Sequence, residues 1–173
     1  MTQRTLAHIG RYLTGIGLIT APSLIGSPVV GDWKTIDDGT GREKALVRIE
    51  EVGGELRGRI IKLLDPADLQ RPGTCDKCEG ELRGAPVVGL AILSGMKPAG
   101  DGEWDSGHVL DPESGKTYRC RLRLSDDGQS LNVRGFIGIS LFGRSQTWRK
   151  DTSRGTTVPL EPHRRDSETA VAR

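Results

Sequence analysis

The sequence predicts an all-β fold, an antiparallel up-and-down barrel of about eight strands over residues 28–150. A signal segment at 1–27 is expected before it and a disordered tail at 151–173 after it. Three observations predict this. Glycine is abundant, 24 among 173 residues, and aromatic residues are scarce, which suits many short strands joined by tight turns. Apolar residues recur with period two or in short runs, and no amphipathic helix of useful length appears. The runs follow one another in hairpin order, and strands so ordered must hide their edges, which closure into a barrel achieves. A two-sheet sandwich built from the same strands is the alternative.

The first segment reads as a targeting signal. "MTQRTLAHIGR" is basic and free of acid, and the short apolar run "YLTGIGLITAPSLIG" follows. That run is too short for a stable membrane span and fits a secretory signal. An uncleaved interfacial anchor and a mitochondrial-type presequence are the other readings. No cysteine follows the run to carry a lipid. Export to the periplasm or beyond is the expectation.

The strands then come in order. "WKTIDDGTGREKALVRIEEVGGELRGRIIKLLDP" gives three, with "DDGTG" and "VGGE" as turns. Residues 66–85 lack periodicity and read as a long loop. "PVVGLAILSGMK" is a continuous apolar strand, and "WDSGHVLDPESGKTYRCRLRLSDDGQSLNVRG" gives three more. Tyr118 to Leu124 alternates most clearly, with Tyr118, Cys120, Leu122 and Leu124 on one face and three arginines on the other. The last strands lie in "GFIGISLFGRSQTWRK". Beyond Lys150 the chain is polar and unpatterned, as a disordered tail is.

Gly31-x-Trp33 on the first strand, with Arg144, Trp148 and Arg149 near the last, suits a closure in which a guanidinium packs on an indole. The pattern resembles the lipocalin-like, or calycin, barrels. "GDWKT.DD.TG", "C..CEG", "PVVGLAILSGMK", "W..GHVLDPESGKTYRCRLRL" and "LNVRGFIGISLFGRSQTW" together resemble the domain-of-unknown-function 2147 family. The resemblance runs from about Pro28 to Lys150. It implies an exported bacterial protein with a lipocalin-like barrel. It implies no activity and no catalytic residues.

Chemistry is read from few residues. The two leader arginines account for the whole charge excess of 25 basic over 23 acidic residues, so the barrel has no general electrostatic hold on nucleic acid, although a local basic patch remains open. Cys75 and Cys78, in "TCDKCEG", are three apart in the long loop. In an oxidising compartment such a pair becomes a disulfide. Cys120, on an apolar strand face, is expected to stay reduced. A redox Cys-x-x-Cys would open a helix, and no helical pattern follows. A zinc site would have to recruit Cys120 and His108, and a second Cys-x-x-Cys is lacking. His108 is also the one barrel histidine on which a nucleophilic triad could draw. No catalytic constellation, metal set or cofactor motif emerges. Trp104 and His108 are the candidates for a ligand mouth. The reading is a non-enzymatic envelope barrel that binds a small, partly apolar molecule. The alternative is an interaction module filled by its own side chains, and the third reading is a thiol-redox or zinc protein. No protein partner is indicated.

Overall fold

A computed structural model describes residues 27–69, 73–139 and 143–153. The signal segment, and the tail from residue 154, lie outside the described residues.

Eight strands follow one another in a closed antiparallel barrel. They are β1 (Gly31–Ile36), β2 (Glu43–Val52), β3 (Glu55–Leu63), β4 (Ala91–Gly100), β5 (Glu103–Asp111), β6 (Lys116–Leu124), β7 (Ser130–Phe136) and β8 (Gly143–Lys150). Each pairs with its neighbour in the chain, and β8 returns to β1 through Trp33–Lys150 and Lys34–Arg149. The ring is therefore complete and leaves no sheet edge exposed.

One end of the barrel has short turns. β2 and β3 meet at Gly53-Gly54, both with φ near +70° (64° and 79°), the backbone a two-residue hairpin requires and a side chain resists. Residues 101–102 and 125–129 make the other two turns there. This end is filled. Trp33, Val47, Ile49, Leu56, Met96 and Leu122 are all buried in one apolar cluster. The Trp33 indole nitrogen donates to the Val29 carbonyl at 2.8 Å, so its one polar atom is satisfied inside the core.

The closure differs from the expectation in its cation. Lys150 Nζ, not Arg144 or Arg149, lies over the Trp33 ring, 5.3 Å from its centre, and donates to the Pro28 carbonyl at 2.6 Å. The β1–β8 register pairs Trp33 with Lys150, while Arg149 falls opposite Lys34 on the exposed wall. Arg144 is six residues up β8, about 20 Å away at ordinary strand rise. There it bonds Asp38 at 2.7 Å. Trp148 is buried and pairs with Leu131 on β7.

Two runs are less regular than their sequence suggests. β4 starts at Ala91, and residues 86–90 turn through Gly89, whose N–H donates to the Ile60 carbonyl. Residues 66–85 hold a one-turn helix α1 (Pro66–Leu69) and a single 3₁₀ turn (Gly80–Leu82) rather than plain loop.

Candidate ligand cavity

The other end of the barrel is hollow. A cavity of about 890 Å³ opens there, lined by Ala45, Ile60, Ile92, Val109, Val133 and Trp148 among others. That volume lies in the range of small-molecule sites. Part of that space exists because Ala45 holds an inward position where a larger side chain would reach across, while Gly135 lets Val109 and Tyr118 close over its backbone, a Cβ there standing 3.3 Å from Val109.

Four uncharged polar side chains line the cavity, Thr35, Thr74, Tyr118 and Gln146, and charged side chains such as Lys44, Asp68, Asp111 and Glu113 stand around its rim. Thr74 donates to Asp76 at 2.9 Å. Thr35 is occupied with the Ala45 backbone, accepting from its N–H at 3.1 Å. Gln146 Oε1 accepts from Trp148 Nε1 at 3.4 Å. An indole N–H can only donate, so this contact turns the amide nitrogen of Gln146 away from Trp148. Neither that nitrogen nor the Tyr118 hydroxyl has a hydrogen-bond partner among the described residues. Neither is sealed from solvent-sized space, since no buried polar side-chain atom lacks a partner. The pocket is thus an apolar chamber with a donor and a phenol left over, able to orient a polar group on an apolar guest.

The rim is held by ion pairs between separate elements. Lys44 on β2 sits between Asp68 of α1, at 3.6 Å, and Glu113 of the β5–β6 turn. Burial works against the Lys44 charge, but the two carboxylates outweigh it and hold its pKa above the ordinary lysine value. Arg42 reaches Asp65 at 3.3 Å, and Asp65 accepts from the Ala67 N–H, capping α1. Asp37 accepts from the hydroxyl and amide of Thr40, which hold its carboxyl below the usual range. Its role is to fix the β1–β2 turn.

Cys75 and Cys78 form a disulfide. The expected loop position holds, but the cysteines are not at the surface: Cys75 is 0% and Cys78 3% exposed. The β3–β4 connection folds back over the rim and packs on the β5–β6 turn. Cys75 Sγ lies 3.4 Å from the Pro112 carbonyl oxygen. Gly115 (φ 74°) faces the Lys77 carbonyl so closely that an added Cβ would sit 1.9 Å from it. The cysteine turn therefore forms part of the roof, and Asp76 and Lys77 line the cavity.

The two residues expected at the mouth are elsewhere. Trp104 is the second residue of β5, which runs from the filled end upward, and it packs opposite Leu122 in the core. His108 is exposed on the outer wall, opposite Arg119 and Ser94. A register break in β5 around Ser106, whose φ is 64°, separates the two. Cys120 faces the interior, free and buried, and burial pushes its thiol pKa up to about 12. It pairs with Gly107, so Cys120 inside and His108 outside stand on opposite sides of the sheet, and the four residues that zinc would need do not meet. Among the described residues no group of three or more His, Cys, Asp or Glu is placed to hold a metal. No helix among them is long and apolar enough to cross a membrane.

Sequence reasoning missed Tyr118 and Gln146. The signal was present: both are polar residues at inward strand positions, Tyr118 two before Cys120 and Gln146 two before Trp148.

Residues 31–150 match the family model described as "Uncharacterized protein conserved in bacteria (DUF2147)". Among solved structures, a Helicobacter pylori protein described as belonging to the lipocalin family is similar, with a TM-score of 0.63 and 19% identity over 73% of this chain and 85% of that one. At that identity the likeness is one of fold. No curated protein matches the chain.

Proposed function

The chain belongs to this family of uncharacterized bacterial proteins (DUF2147), and within its lipocalin-like barrel we propose that the hollow end binds a small, partly apolar molecule in the cell envelope. One observation carries the reading: an apolar chamber of about 890 Å³, open at one end, in which Gln146 and Tyr118 keep unused hydrogen-bonding capacity. A chamber that served only to fill the fold would have no use for an unpaired amide and phenol. The guest has an apolar body against Ile60, Ile92 and Val133, and an acceptor group for the Gln146 amide. Its size is bounded by the chamber, so a single chain or ring system fits and a polymer does not. The reading is non-enzymatic: His108 lies on the far side of the sheet, and the hydroxyl–carboxylate contact on the lining, Thr74 to Asp76 at 2.9 Å, joins near neighbours within the cysteine turn with no histidine of the lining beside it. The envelope setting rests on the basic, then apolar leader and on the disulfide.

Native mass spectrometry of protein purified from its own envelope tests the proposal. A retained small molecule is expected in the wild type and absent from Ala45→Trp, which places an indole in the chamber. A bare wild-type chain that also fails to take up any apolar fluorescent probe overturns it. N-terminal sequencing of the same material should begin between Pro22 and Val30, and an intact Met1 in a cytoplasmic fraction contradicts export.

A further inference from the structure

The strand charges are divided unevenly around the barrel. β6, β7 and β8 hold eight lysines and arginines and no acid, whereas β1 to β5 hold seven basic and eight acidic residues. Strand parity turns Arg119, Arg121 and Arg123 outward. The β6–β7 register sets Arg121 directly opposite Arg134, an arrangement that destabilises a sheet. Arg123 is answered by Glu103 at 3.5 Å, but Arg121 has no ion pair among the described residues. A near-neutral protein thus concentrates its strand cations on one wall, where Arg134 also donates to Ser145 at 3.0 Å and Arg144 is paired with Asp38.

That wall continues into an apolar tip. Directly after β7, Ile137 and Ile139 are 71% and 63% exposed, and Ile137 is the most exposed large apolar side chain among the described residues. The two features are one surface: the Arg119 guanidinium lies over the Phe136 ring at 5.6 Å and donates to the Gly138 carbonyl at 3.4 Å. The tip stands at the hollow end, beside the cavity, and Ile137 itself lines it.

We propose that the β6–β8 wall and its isoleucine tip dock on an anionic phospholipid bilayer. The arginines meet lipid phosphates, and Ile137 and Ile139 enter the boundary with the acyl chains. A soluble polyanion would satisfy the arginines and gain nothing from two exposed isoleucines, whereas a bilayer offers charge above an apolar layer. The cysteine turn across the rim sets Asp76, Glu79 and Glu81 against Lys77 and Arg83, so that flank offers a bilayer no net positive charge. This docking stands apart from the ligand reading, since it needs no guest in the chamber.

Co-flotation of the full chain with vesicles tests it, comparing phosphatidylglycerol mixed with phosphatidylcholine against phosphatidylcholine alone, at low and high salt. Binding is expected on the anionic vesicles and should fall with salt. Each cation near such a surface contributes about fivefold, so Arg121→Glu, which changes the charge by two, should weaken binding about 25-fold. The same variant faces Arg134 with an opposite charge and should melt no lower than the wild type, which separates lost docking from lost folding. Comparing variants in one chain also separates the wall from the N-terminal segment. Ile137→Ser with Ile139→Ser should weaken binding severalfold. Equal binding to both vesicles, binding undiminished in Arg121→Glu, or capture by heparin with no vesicle binding would overturn the proposal. A chain that takes up an apolar probe yet ignores vesicles sinks this inference alone and leaves the ligand reading intact.

Discussion

The two ends of the barrel are built from the same strands and differ in what fills them. At the short-turn end Trp33, Ile49, Leu56, Leu93, Met96 and Leu131 interlock with almost no exposure. At the other, Ala45, Ile60, Ile92 and Val133 are also largely packed, but each leaves a small area on an open chamber. Closure and binding are thereby separated along the barrel axis. The filled end supplies the packing that holds the ring shut, and the hollow end gives packing up and is held instead by ion pairs across its rim and by the β3–β4 connection, whose cysteine turn a local disulfide fixes. Buried area at the one end can stabilise the fold without obstructing the other.

Substitutions that read the two ends against each other should show this difference in denaturant melts. Ile49→Ala, in the filled end, should cost about 4 kcal/mol, because the removed atoms leave a void in close-packed surroundings. Ile60→Ala removes the same atoms beside space that is already open and should cost about 2 kcal/mol. Equal losses would break the distinction. Trp33→Ala should fall with Ile49, at about 3 kcal/mol or more.

The rim should respond more weakly in stability and more strongly in local opening. Cys75→Ala with Cys78→Ala removes a small ring, worth about 2 kcal/mol at most. Limited proteolysis should then cut within the β3–β4 connection while the barrel remains folded. In the wild type without reductant, thiol counting should find one free thiol, Cys120, reactive only after unfolding, because it is buried and its pKa is pushed up to about 12. Three free thiols would remove the disulfide from the account.

The smallest effect concerns pH. Folding raises the Lys44 pKa above 10.5, so its contribution is fully present below that value and is lost as pH rises through the higher folded value. Lys44→Met should therefore lower the melting temperature slightly at pH 7, and the gap from wild type should close above pH 10.5. A constant gap would locate the effect in lost packing.

The strand pattern was legible because period two is local. Tyr118 to Leu124 alone orients β6, placing Cys120 inside and three arginines outside. Gly-Gly and Asp-Gly pairs mark the hairpins for the same reason. What was not legible depends on register and direction. Which cation covers Trp33 turns on a one-residue offset between the first and last strands, and such an offset reverses the face of every side chain. That is why Lys150 takes the place expected for Arg149, while Arg144 lies six residues away along β8, on Asp38. Trp104 and His108 were misplaced because nothing local tells which end of β5 is hollow, and because the break at Ser106 lies between them. The cysteine turn read as a surface loop because its partners, Pro112 and Gly115, are more than 30 residues away.

The three tryptophans divide between the ends, which permits one direct measurement. Trp148 lines the chamber, while Trp33 and Trp104 lie in the filled core. Titration with a brominated apolar probe, which quenches indole fluorescence on contact, should extinguish part of the wild-type emission and saturate at one probe per chain. In Trp148→Phe, where only Trp33 and Trp104 emit, the same titration should leave the signal nearly unchanged. Undiminished quenching in that variant, or none in the wild type, would contradict a barrel filled at one end and open to a guest at the other.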